Sequence, residues 1–416
     1  MRKPKTPQVQ LSTIPVKNIT TLANNIHQFF LKTPNKKSAA SSAQLMRDSL
    51  VALLAAQPHM NKLFKSLPTR TTTRMIQRRF KRDINELTNG ANQALRIINQ
   101  NLGKILKPCS KLLFLSIDES LKEHYGKEKE GVTRSKEKAS TTLFLGYLVF
   151  SLVHPGRQII VHVECTAGRS QAKAAAEALP QVMDVLREAY GDDVRVIVVA
   201  DGAYHTKEFL RACMEQGVEF IVRFNPRRRG LDYYRELLGD NDHVFFDYEL
   251  SCCPGVVLRG VVVRERGNDD SNGRERIRVF LTHRSDLSAE RVVSWYERRF
   301  RVENVFRACR GMLPRIAVFD AAWGYYWLYL SVVLYCWVMG WVLLKHVSFY
   351  KRGWFFTVVG LYLGGMSVEE LRELVYGVVL RFEMVDGGVV CYCRVGSVRL
   401  SFQCVGENIK LIIEDG

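Results

Sequence analysis

The 416-residue chain is long enough for two or three domains, and its apolar content of 47% is that of a globular protein. Its formal charge of +18 is unevenly placed, because residues 1–110 contribute +16 and the remainder only +2. A basic N-terminal region without a lipidation motif favours nucleic acid as its polyanionic partner. The ten cysteines form no CxxC pair and no signal peptide precedes them, which predicts reduced thiols in the cytoplasm and no zinc site.

The N-terminal quarter of the chain is basic and has helical patterning. Residues 1–18 are rich in Pro and Lys and are predicted to form a mobile basic tail. Residues 19–108 are predicted to form a helical DNA-binding module, with helices at about 20–32, 42–66 and 70–105. Cations that could contact DNA phosphates lie on the last of these helices, and we single out Arg74, Arg78 and Arg79. The alternative is a solvated helix face.

After Pro108 the chain alternates between strands and helices. Apolar runs predict strands at 111–118, 141–153, 157–165, 194–201 and 218–225, with helices at 171–190 and 205–216. An antiparallel meander followed by helix, strand, helix and strand is the order of a ribonuclease H-like core. We therefore predict an α/β fold with a mixed five-stranded sheet flanked by helices, built from 109–225 and 288–345. This topology brings the ends of the first and fourth strands side by side.

Several segments interrupt or follow this core. Residues 121–140 are polar and are predicted to be a flexible loop, and residues 226–287 an inserted antiparallel β element. Ser288 is the expected N-cap of the next helix. The uncharged run from Trp323 to Leu344 is long enough to span a membrane, but Tyr and Trp occur throughout it, so we interpret it as a buried core helix and expect no membrane association. Residues 346–416 are predicted to hold a helix and a small β region.

Three acids stand where an active site is expected. Asp118 and Asp201 each end an apolar strand, and acids at the carboxyl ends of neighbouring strands lie at one edge of a sheet. Either could equally be a turn former or an N-cap. Glu303 follows on a helix that could pack against the same edge. Three oxygen ligands suit Mg²⁺ or Mn²⁺, and two such ions would promote displacement at phosphorus.

The segment from Trp295 to Gly311 has two stripes if it forms one continuous helix. The polar stripe contains Tyr296, Arg299, Glu303 and Arg310, and the apolar stripe contains Trp295, Val302, Phe306 and Cys309. Such a helix could hold a carboxylate rigidly beside cations. The alternative is an exposed face of i,i+4 ion pairs, Glu297 with Arg301 and Glu303 with Arg307.

The spacing Tyr296-x2-Arg299-x3-Glu303-x6-Arg310 resembles the Tyr-Arg-Glu-Lys signature of prokaryotic, archaeal or bacterial, insertion-sequence transposases with an Asp-Asp-Glu (DDE) active site on a ribonuclease H-like fold. The motifs FLSIDESLKEHYGK and VIVVADGAYHTKEFL complete the resemblance, which covers about residues 110–345. Arg310 departs from the family's Lys, and a planar guanidinium makes different contacts from an ammonium.

The resemblance implies that Asp118, Asp201 and Glu303 are the catalytic metal ligands and that Tyr296, Arg299 and Arg310 bind DNA near the transposon end. It also implies a homodimeric synaptic complex on double-stranded DNA, formed by terminal inverted repeats and target DNA. Members often cut through a hairpin intermediate while an aromatic residue stacks on a flipped base. Phe245, Phe246 and Tyr248 are candidates for that stacking by location, and core packing is the alternative role for each.

The leading hypothesis is thus a DNA transposase that performs metal-dependent cleavage at insertion-sequence ends and strand transfer. A second hypothesis is a transposase-derived, sequence-specific DNA-binding protein without catalysis. A third is a metal-dependent nuclease on the same fold, which would cleave without joining.

Overall fold

The fold is that of a computed structural model, which describes residues 17–31, 42–47, 49–50, 73–81, 83–105, 112–154, 157–226, 228–250, 255–269, 275–313, 320–345, 379–385, 388–395, 398–405 and 408–415. The chain divides into two compact units. One unit holds Asp83–Arg310 and Val318–Gly340, and the other holds Met1–Arg82, Gly311–Ala317 and Trp341–Gly416.

The helices with assigned bounds are numbered in chain order. They are α1 (Lys17–Phe30), α2 (Thr73–Arg79), α3 (Ile84–Ile105), α4 (Gln171–Tyr190), α5 (Lys207–Glu215), α6 (Arg228–Leu238), α7 (Ala289–Tyr296), α8 (Arg301–Met312) and α9 (Ala321–Lys345). Helical residues also occur at 42–47 and 49–50. Two short 3-10 turns lie at Gly202–Tyr204 and Glu297–Phe300.

Nine strands form one mixed sheet among the described residues of the unit that begins at Asp83. They are β1 (Leu112–Glu123), β2 (Thr133–Lys138), β3 (Thr141–His154), β4 (Arg157–Cys165), β5 (Arg195–Ala200), β6 (Glu219–Phe224), β7 (His243–Glu249), β8 (Val257–Asp269) and β9 (Glu275–Thr282). Their order is β2-β3-β1-β5-β6-β9-β8-β7, and β4 pairs with β3. The sheet is mixed because β1 pairs antiparallel with β3 and parallel with β5.

The α/β class and the antiparallel meander of β1, β3 and β4 match the prediction. The size of the sheet does not. The predicted insertion does contain antiparallel strands, β7 to β9, but they extend the main sheet, because β9 pairs antiparallel with β6. The physical reason is that β6 would otherwise be an open edge, and the buried Val279, Phe280 and Leu281 of β9 can cover it. Helix α6 precedes β7 and was not predicted.

The predicted loop at 121–140 is wrong in part, because residues 121–123 and 133–138 lie in strands. Strand β1 continues to Glu123, since its last residues pair with β3 up to Glu123↔Phe144, and β2 pairs with the far end of β3. Partnering across the sheet outweighs the polar composition of this segment. Asp118 is therefore inside a strand, although pairing with β5 ends at Ser116↔Val199, two residues before it.

Helix α9 contains the long apolar run and is a core helix, since residues 321–336 are buried. Within the part of the chain that the structure describes, no helix is long and apolar enough to cross a membrane. The Thr88 hydroxyl of α3 lies 3.1 Å from the Tyr329 hydroxyl of α9, and the Cys336 thiol lies 3.3 Å from the Ile160 carbonyl oxygen of β4. The described cysteines Cys165, Cys213, Cys309 and Cys336 are free and buried, which agrees with the prediction of reduced thiols.

The predicted single helix over 70–105 is instead two helices. Helix α2 ends at Arg79, Phe80 forms a β-bridge with Leu31, and Asp83 begins α3 by accepting hydrogen bonds from the backbone N–H groups of Asn85 at 2.7 Å and Glu86 at 3.2 Å. Helix α3 lies in the unit of the sheet, where Asn92 exchanges two hydrogen bonds of 2.9 Å with the backbone of Val163. The domain boundary predicted at residue 108 thus lies beyond α3, whereas the compact unit begins at Asp83.

The C-terminal region contains a second sheet. Strands β10 (Val379–Val385), β11 (Gly388–Val395), β12 (Val398–Val405) and β13 (Asn408–Asp415) pair antiparallel in sequence order. Three of them were predicted. Apart from its last two residues, which lie in β10, the helix predicted over 367–380 lies outside the described residues, as does the basic tail apart from Lys17 and Asn18.

Candidate active site

The sheet brings Asp118 and Asp201 to the same edge. Alternation along β1 places Phe114, Ser116 and Asp118 on one face. Helix α7 covers that face, where Phe114 packs in one cluster with Val292 and Tyr296. Strand β5 runs parallel to β1, with Ser116 opposite Val199, and ends at Ala200. Asp201, two residues after Val199, therefore lies beside Asp118, two residues after Ser116.

A 3-10 turn holds Asp201. Its Oδ1 accepts a hydrogen bond of 2.9 Å from the backbone N–H of Ala203, so the side chain caps the turn Gly202–Tyr204. Gly202 passes close to the end of β6, because a Cβ at this position would lie 2.2 Å from Nδ2 of Asn225. Only glycine fits between the two segments without displacement of the asparagine.

The segment that carries the third acid is not one continuous helix. The turn Glu297–Phe300 separates α7 from α8 and changes the direction in which side chains point. The predicted polar stripe is consequently split. Tyr296 and Arg299 are buried, with 1% and 8% of their surface exposed, whereas Glu303 and Arg310 are exposed. Val302, Phe306 and Cys309 are buried as expected, and Trp295 is partly buried.

Arg299 is bound inside the fold. Its Nη1 donates a hydrogen bond of 3.0 Å to Oδ2 of Asp118, and its backbone carbonyl accepts one of 3.3 Å from the Ser116 hydroxyl. The guanidinium carbon lies 4.8 Å from the centre of the Phe300 ring and 5.7 Å from that of Tyr296. The turn thereby fixes an arginine on one oxygen of Asp118, while the other accepts the backbone N–H of Glu119 at 2.9 Å.

The electrostatics show that the acids influence one another. The pKa of Asp118 is raised to about 6, mainly by burial; Arg299 works against this rise, and the charges of Asp201 and Glu303 add to it. Burial also raises the pKa of Tyr204, and Asp118 and Asp201 add to that effect. Asp201 and Glu303 therefore both lie within electrostatic range of Asp118.

The alternative of i,i+4 ion pairs is not observed. Glu297 pairs with Arg278, at 3.6 Å, and not with Arg301. Among the described residues, Glu303 has no ion pair with Arg307 or any other cation. Glu303 is thus exposed, and an ion-paired surface among the described residues does not account for its position.

The residues predicted to bind DNA are placed differently from one another. Arg310 donates to the Ser120 hydroxyl at 2.6 Å and to the Leu121 carbonyl at 3.1 Å. In the other unit, Arg78 is exposed, Arg79 donates to Ser42 at 3.3 Å, and the side chain of Arg74 lies outside the described part of the chain. The DNA contacts of all these residues stay predictions.

The three aromatic residues suggested for base stacking are partly buried. Arg259 lies 3.8 Å above the ring of Phe245, and Phe246 packs 4.9 Å from Tyr234. Tyr248 packs 5.6 Å from Phe224. These contacts account for the rings as packing residues, and a stacking role stays a prediction.

Sequence reasoning missed two features near the acids. Glu119 is half-buried and bonded to Thr166, and burial raises its pKa, with Asp201 adding to the effect. Its position next to Asp118 in the sequence could have drawn attention to it. The other feature is β2, whose residues lie beside Asp118 and Glu303. Only the pairing of β2 with β3 places it there.

The acids fit a hard divalent cation by chemical type. Carboxylate oxygens are the ligands such a cation prefers, and the charges of Asp201 and Glu303, which add to the effect of burial on the pKa of Asp118, would be offset by a bound cation. Across the described residues, no three His, Cys, Asp or Glu side chains already form a metal-binding group. A divalent cation that binds Asp118 would have to compete with the Arg299 guanidinium, which is already paired with this carboxylate.

Comparison with known proteins bears on this site. Residues 110–313 match the family of the transposase DDE domain. The match covers just under half of the chain, includes all three acids and supports a transposase function. Among solved structures, the chain resembles a piggyBac transposase synaptic complex with hairpin DNA, determined by cryo-EM, with a TM-score of 0.51 and 12% identity over 88% of this chain and 84% of that chain. At this identity the likeness concerns the fold alone. No curated protein matches the sequence significantly.

Proposed function

We propose that this protein is a DNA transposase that cleaves DNA at the ends of an insertion sequence and joins them to target DNA. One observation carries the proposal. Asp118, Asp201 and Glu303 lie in the stretch that matches the transposase DDE domain, and Asp201 and Glu303 both raise the pKa of Asp118. The ribonuclease H-like identity of the core is part of this proposal, supported by the order of β4, β3, β1, β5 and β6.

In this proposal Asp118, Asp201 and Glu303 hold Mg²⁺ or Mn²⁺, and two such ions would activate the attacking water or 3′-hydroxyl and stabilise the leaving oxygen. The protein's own groups prepare the site. Arg299 orients Asp118 through Oδ2, and the 3-10 turn orients Asp201 through Oδ1. Glu303 is exposed on α8 and can meet DNA directly.

The partners follow from charge and from the reaction. Residues 1–82 carry 16 Lys or Arg and one acid, so this region is suited to bind the terminal inverted repeats and neighbouring double-stranded DNA. A homodimer is proposed because two element ends must be held together for joining. Tyr296 and Arg299 act mainly as supports of the site in this scheme, since they are buried.

The test is cleavage of the element's own terminal-repeat DNA by the full-length protein with Mg²⁺ or Mn²⁺. Wild type should cut at the repeat boundary and join the ends to a target plasmid. Asp118→Asn and Glu303→Gln should bind the same DNA without cutting it, because binding depends on cations and catalysis on the acids.

The products separate the alternatives. Cleavage without joining would indicate a nuclease, and binding without cleavage by the wild type would indicate a DNA-binding protein. Undiminished cleavage by Glu303→Gln would remove this residue from the active site.

A further inference from the structure

A groove with a volume of about 660 Å³ opens beside Asp118 and Glu303. Its floor is β1 from Asp118 to Leu121, and one wall is α8, which contributes Glu303, Phe306, Arg307 and Arg310. The opposite wall is β2, at residues 135–138.

Strand β2 belongs to an arm that extends beyond the sheet edge. The arm comprises the end of β1, β2 and the start of β3, since β1 and β3 remain paired to Glu123↔Phe144 after the pairing with β5 has ended. Its tip is a two-residue turn at Ala139 and Ser140, both in the left-handed region with φ values of 51° and 61°. From Arg134 to the tip, every residue of β2 is exposed.

The base of this arm is anchored in the core. The Tyr325 hydroxyl of α9 lies 3.0 Å from the Gly131 carbonyl oxygen and 2.9 Å from that of Gly146. Gly131 has a φ of +86°, and a Cβ there would lie 2.0 Å from Cδ1 of Ile84, so the chain passes tightly at this point. The hydroxyl of Thr141 donates to the His124 carbonyl at 2.8 Å. An arm with a fixed base and an exposed tip can hold side chains at a constant position over the groove.

The charges on the arm differ in how they are satisfied. Arg134 is paired with Glu128 and does not line the groove. Lys136 and Lys138 do line the groove, and within the described chain neither has an acidic partner. Arg307 and Arg310 add two further cations from α8, and Glu119 and Glu137 add acids beside Asp118 and Glu303. The groove therefore presents cations on its two walls, the acids Asp118 and Glu119 on its floor, and one acid on each wall, Glu303 and Glu137.

We propose that the arm binds the phosphate backbone of the DNA strand that enters this groove. Lys136 and Lys138 would contact non-bridging phosphate oxygens, and Arg307 would contact the backbone from the other wall. The contact would position a phosphodiester over Asp118 and Glu303, so that the lysines act as positioning residues. This inference rests on the proposed function, and phosphate is preferred to an acidic peptide because Asp118 and Glu303 belong to the site proposed to act on phosphodiesters.

The experiment measures binding of a generic DNA duplex to full-length protein over a series of salt concentrations. In Lys136→Gln/Lys138→Gln the slope of log K against log salt should fall by about two, or about one per lysine. The matched control is Arg134→Gln, which removes a positive charge from the same strand outside the groove and should change the slope by much less than one. Equal slopes in the control and in the single variants Lys136→Gln and Lys138→Gln would overturn the proposal.

A structural role of the lysines is tested by Lys136→Arg/Lys138→Arg, which keeps both charges. This variant should retain the wild-type slope, and a loss as large as that of the glutamine variant would count against phosphate contact. Tighter binding of a polyglutamate peptide than of DNA would likewise refute it. If the wild type binds DNA but never cuts it, the proposed transposase function fails. The arm proposal would still stand in that case if the slope falls with the lysines.

Discussion

Asp118 experiences opposing forces within the fold. Burial and two neighbouring acids favour its neutral form, whereas Arg299 and the Glu119 N–H favour its charged form. The net result is a pKa of about 6 in place of the usual 3.8. A carboxyl group that is costly to ionise in the free protein is suited to a site where a cation will later neutralise it.

This cost predicts a stability difference for Asp118→Asn. Because its pKa is raised on folding, the folded state binds the proton more tightly than the unfolded state does. The stabilisation from this proton is complete below about pH 4 and is lost as the pH rises to about 6. At pH 8 the variant should therefore be more stable than wild type by on the order of 1–3 kcal/mol, and near pH 4 the difference should be small.

Denaturant unfolding at the two pH values measures this difference. Asp184→Asn, an exposed acid on α4, is the control and should stay within about 0.5 kcal/mol of wild type. Mg²⁺ should raise the melting temperature of wild type more than that of Asp118→Asn. If Asp118→Asn had the same free energy of unfolding as wild type at both pH values, ionisation of the buried Asp118 would carry no cost and the prediction would be wrong.

The burial of Arg299 predicts that it serves Asp118 more than it serves DNA. In Arg299→Lys the hydrogen bond to Oδ2 and the ring contacts are lost, and cleavage should fall by about 10- to 100-fold. The acid limb of the cleavage pH profile should move little, because lysine keeps the positive charge by which Arg299 lowers the pKa of Asp118.

Affinity for terminal-repeat DNA distinguishes this supporting role of Arg299 from direct binding of DNA phosphate. It should change less than about twofold, because Arg299 is only 8% exposed. Arg298→Lys, which changes a neighbouring arginine that lies 4.0 Å above the Phe114 ring, is the matched control for loss of a guanidinium. A selective loss of affinity for cleaved ends in Arg299→Lys would instead support direct binding of DNA phosphate by Arg299.

At the scale of elements, the site depends on two short 3-10 turns and not on long helices. One follows β5 and holds Asp201, and the other follows α7 and holds Arg299. Such turns are short because their hydrogen bonds are strained, so they need support from neighbouring segments. The first is supported by the close approach of Gly202 to Asn225.

Substitution of this glycine should perturb the first turn specifically. Gly202→Ala places a methyl group against Nδ2 of Asn225, and we expect it to lower the free energy of unfolding by about 1–3 kcal/mol. The double variant Gly202→Ala/Asn225→Ala removes the obstacle and should recover most of that loss. Thermal unfolding of the two variants and of Asn225→Ala alone gives the comparison, and absence of any recovery would show that the cost has another origin.

For the whole molecule, the basic charge and the acids proposed to be catalytic are separated along the chain. Residues 1–82 hold a net charge of +15, whereas the matched domain begins at residue 110. DNA affinity and the rate of cleavage should consequently be lowered by different substitutions. Helix α2 is the described helix that carries the predicted phosphate-binding arginines.

Neutralisation of Arg74, Arg78 and Arg79 to Gln should weaken DNA binding and reduce its salt slope by about two to three. The rate of cleavage at saturating DNA should be nearly unchanged, because the three acids are intact. A control with Lys173, Lys207 and Arg211 changed to Gln removes the same charge from exposed positions on α4 and α5. If the salt slope of DNA binding falls by the same amount in both triple variants, the arginines of α2 have no special role in DNA contact.

Local sequence patterns determined much of this protein. Apolar runs and turn residues were sufficient to predict β1, β3 to β6, α4 and the core helix α9, since these elements are long and strongly patterned. The spacing of Asp118, Asp201 and Glu303 was visible for the same reason. The capping acid Asp83 and the drop in basic charge near it could also have marked the start of α3.

Tertiary structure alone decided the rest, because it depends on partners far away in sequence. Pairing with β3 extended β1 past Asp118 and turned a polar segment into β2, and pairing with β6 drew β9 into the main sheet. The turn after Tyr296 turned Arg299 inward onto Asp118, which no helical projection could show. Periodicity reports which residues share a face only while the backbone keeps one geometry, and the site lies where that geometry changes.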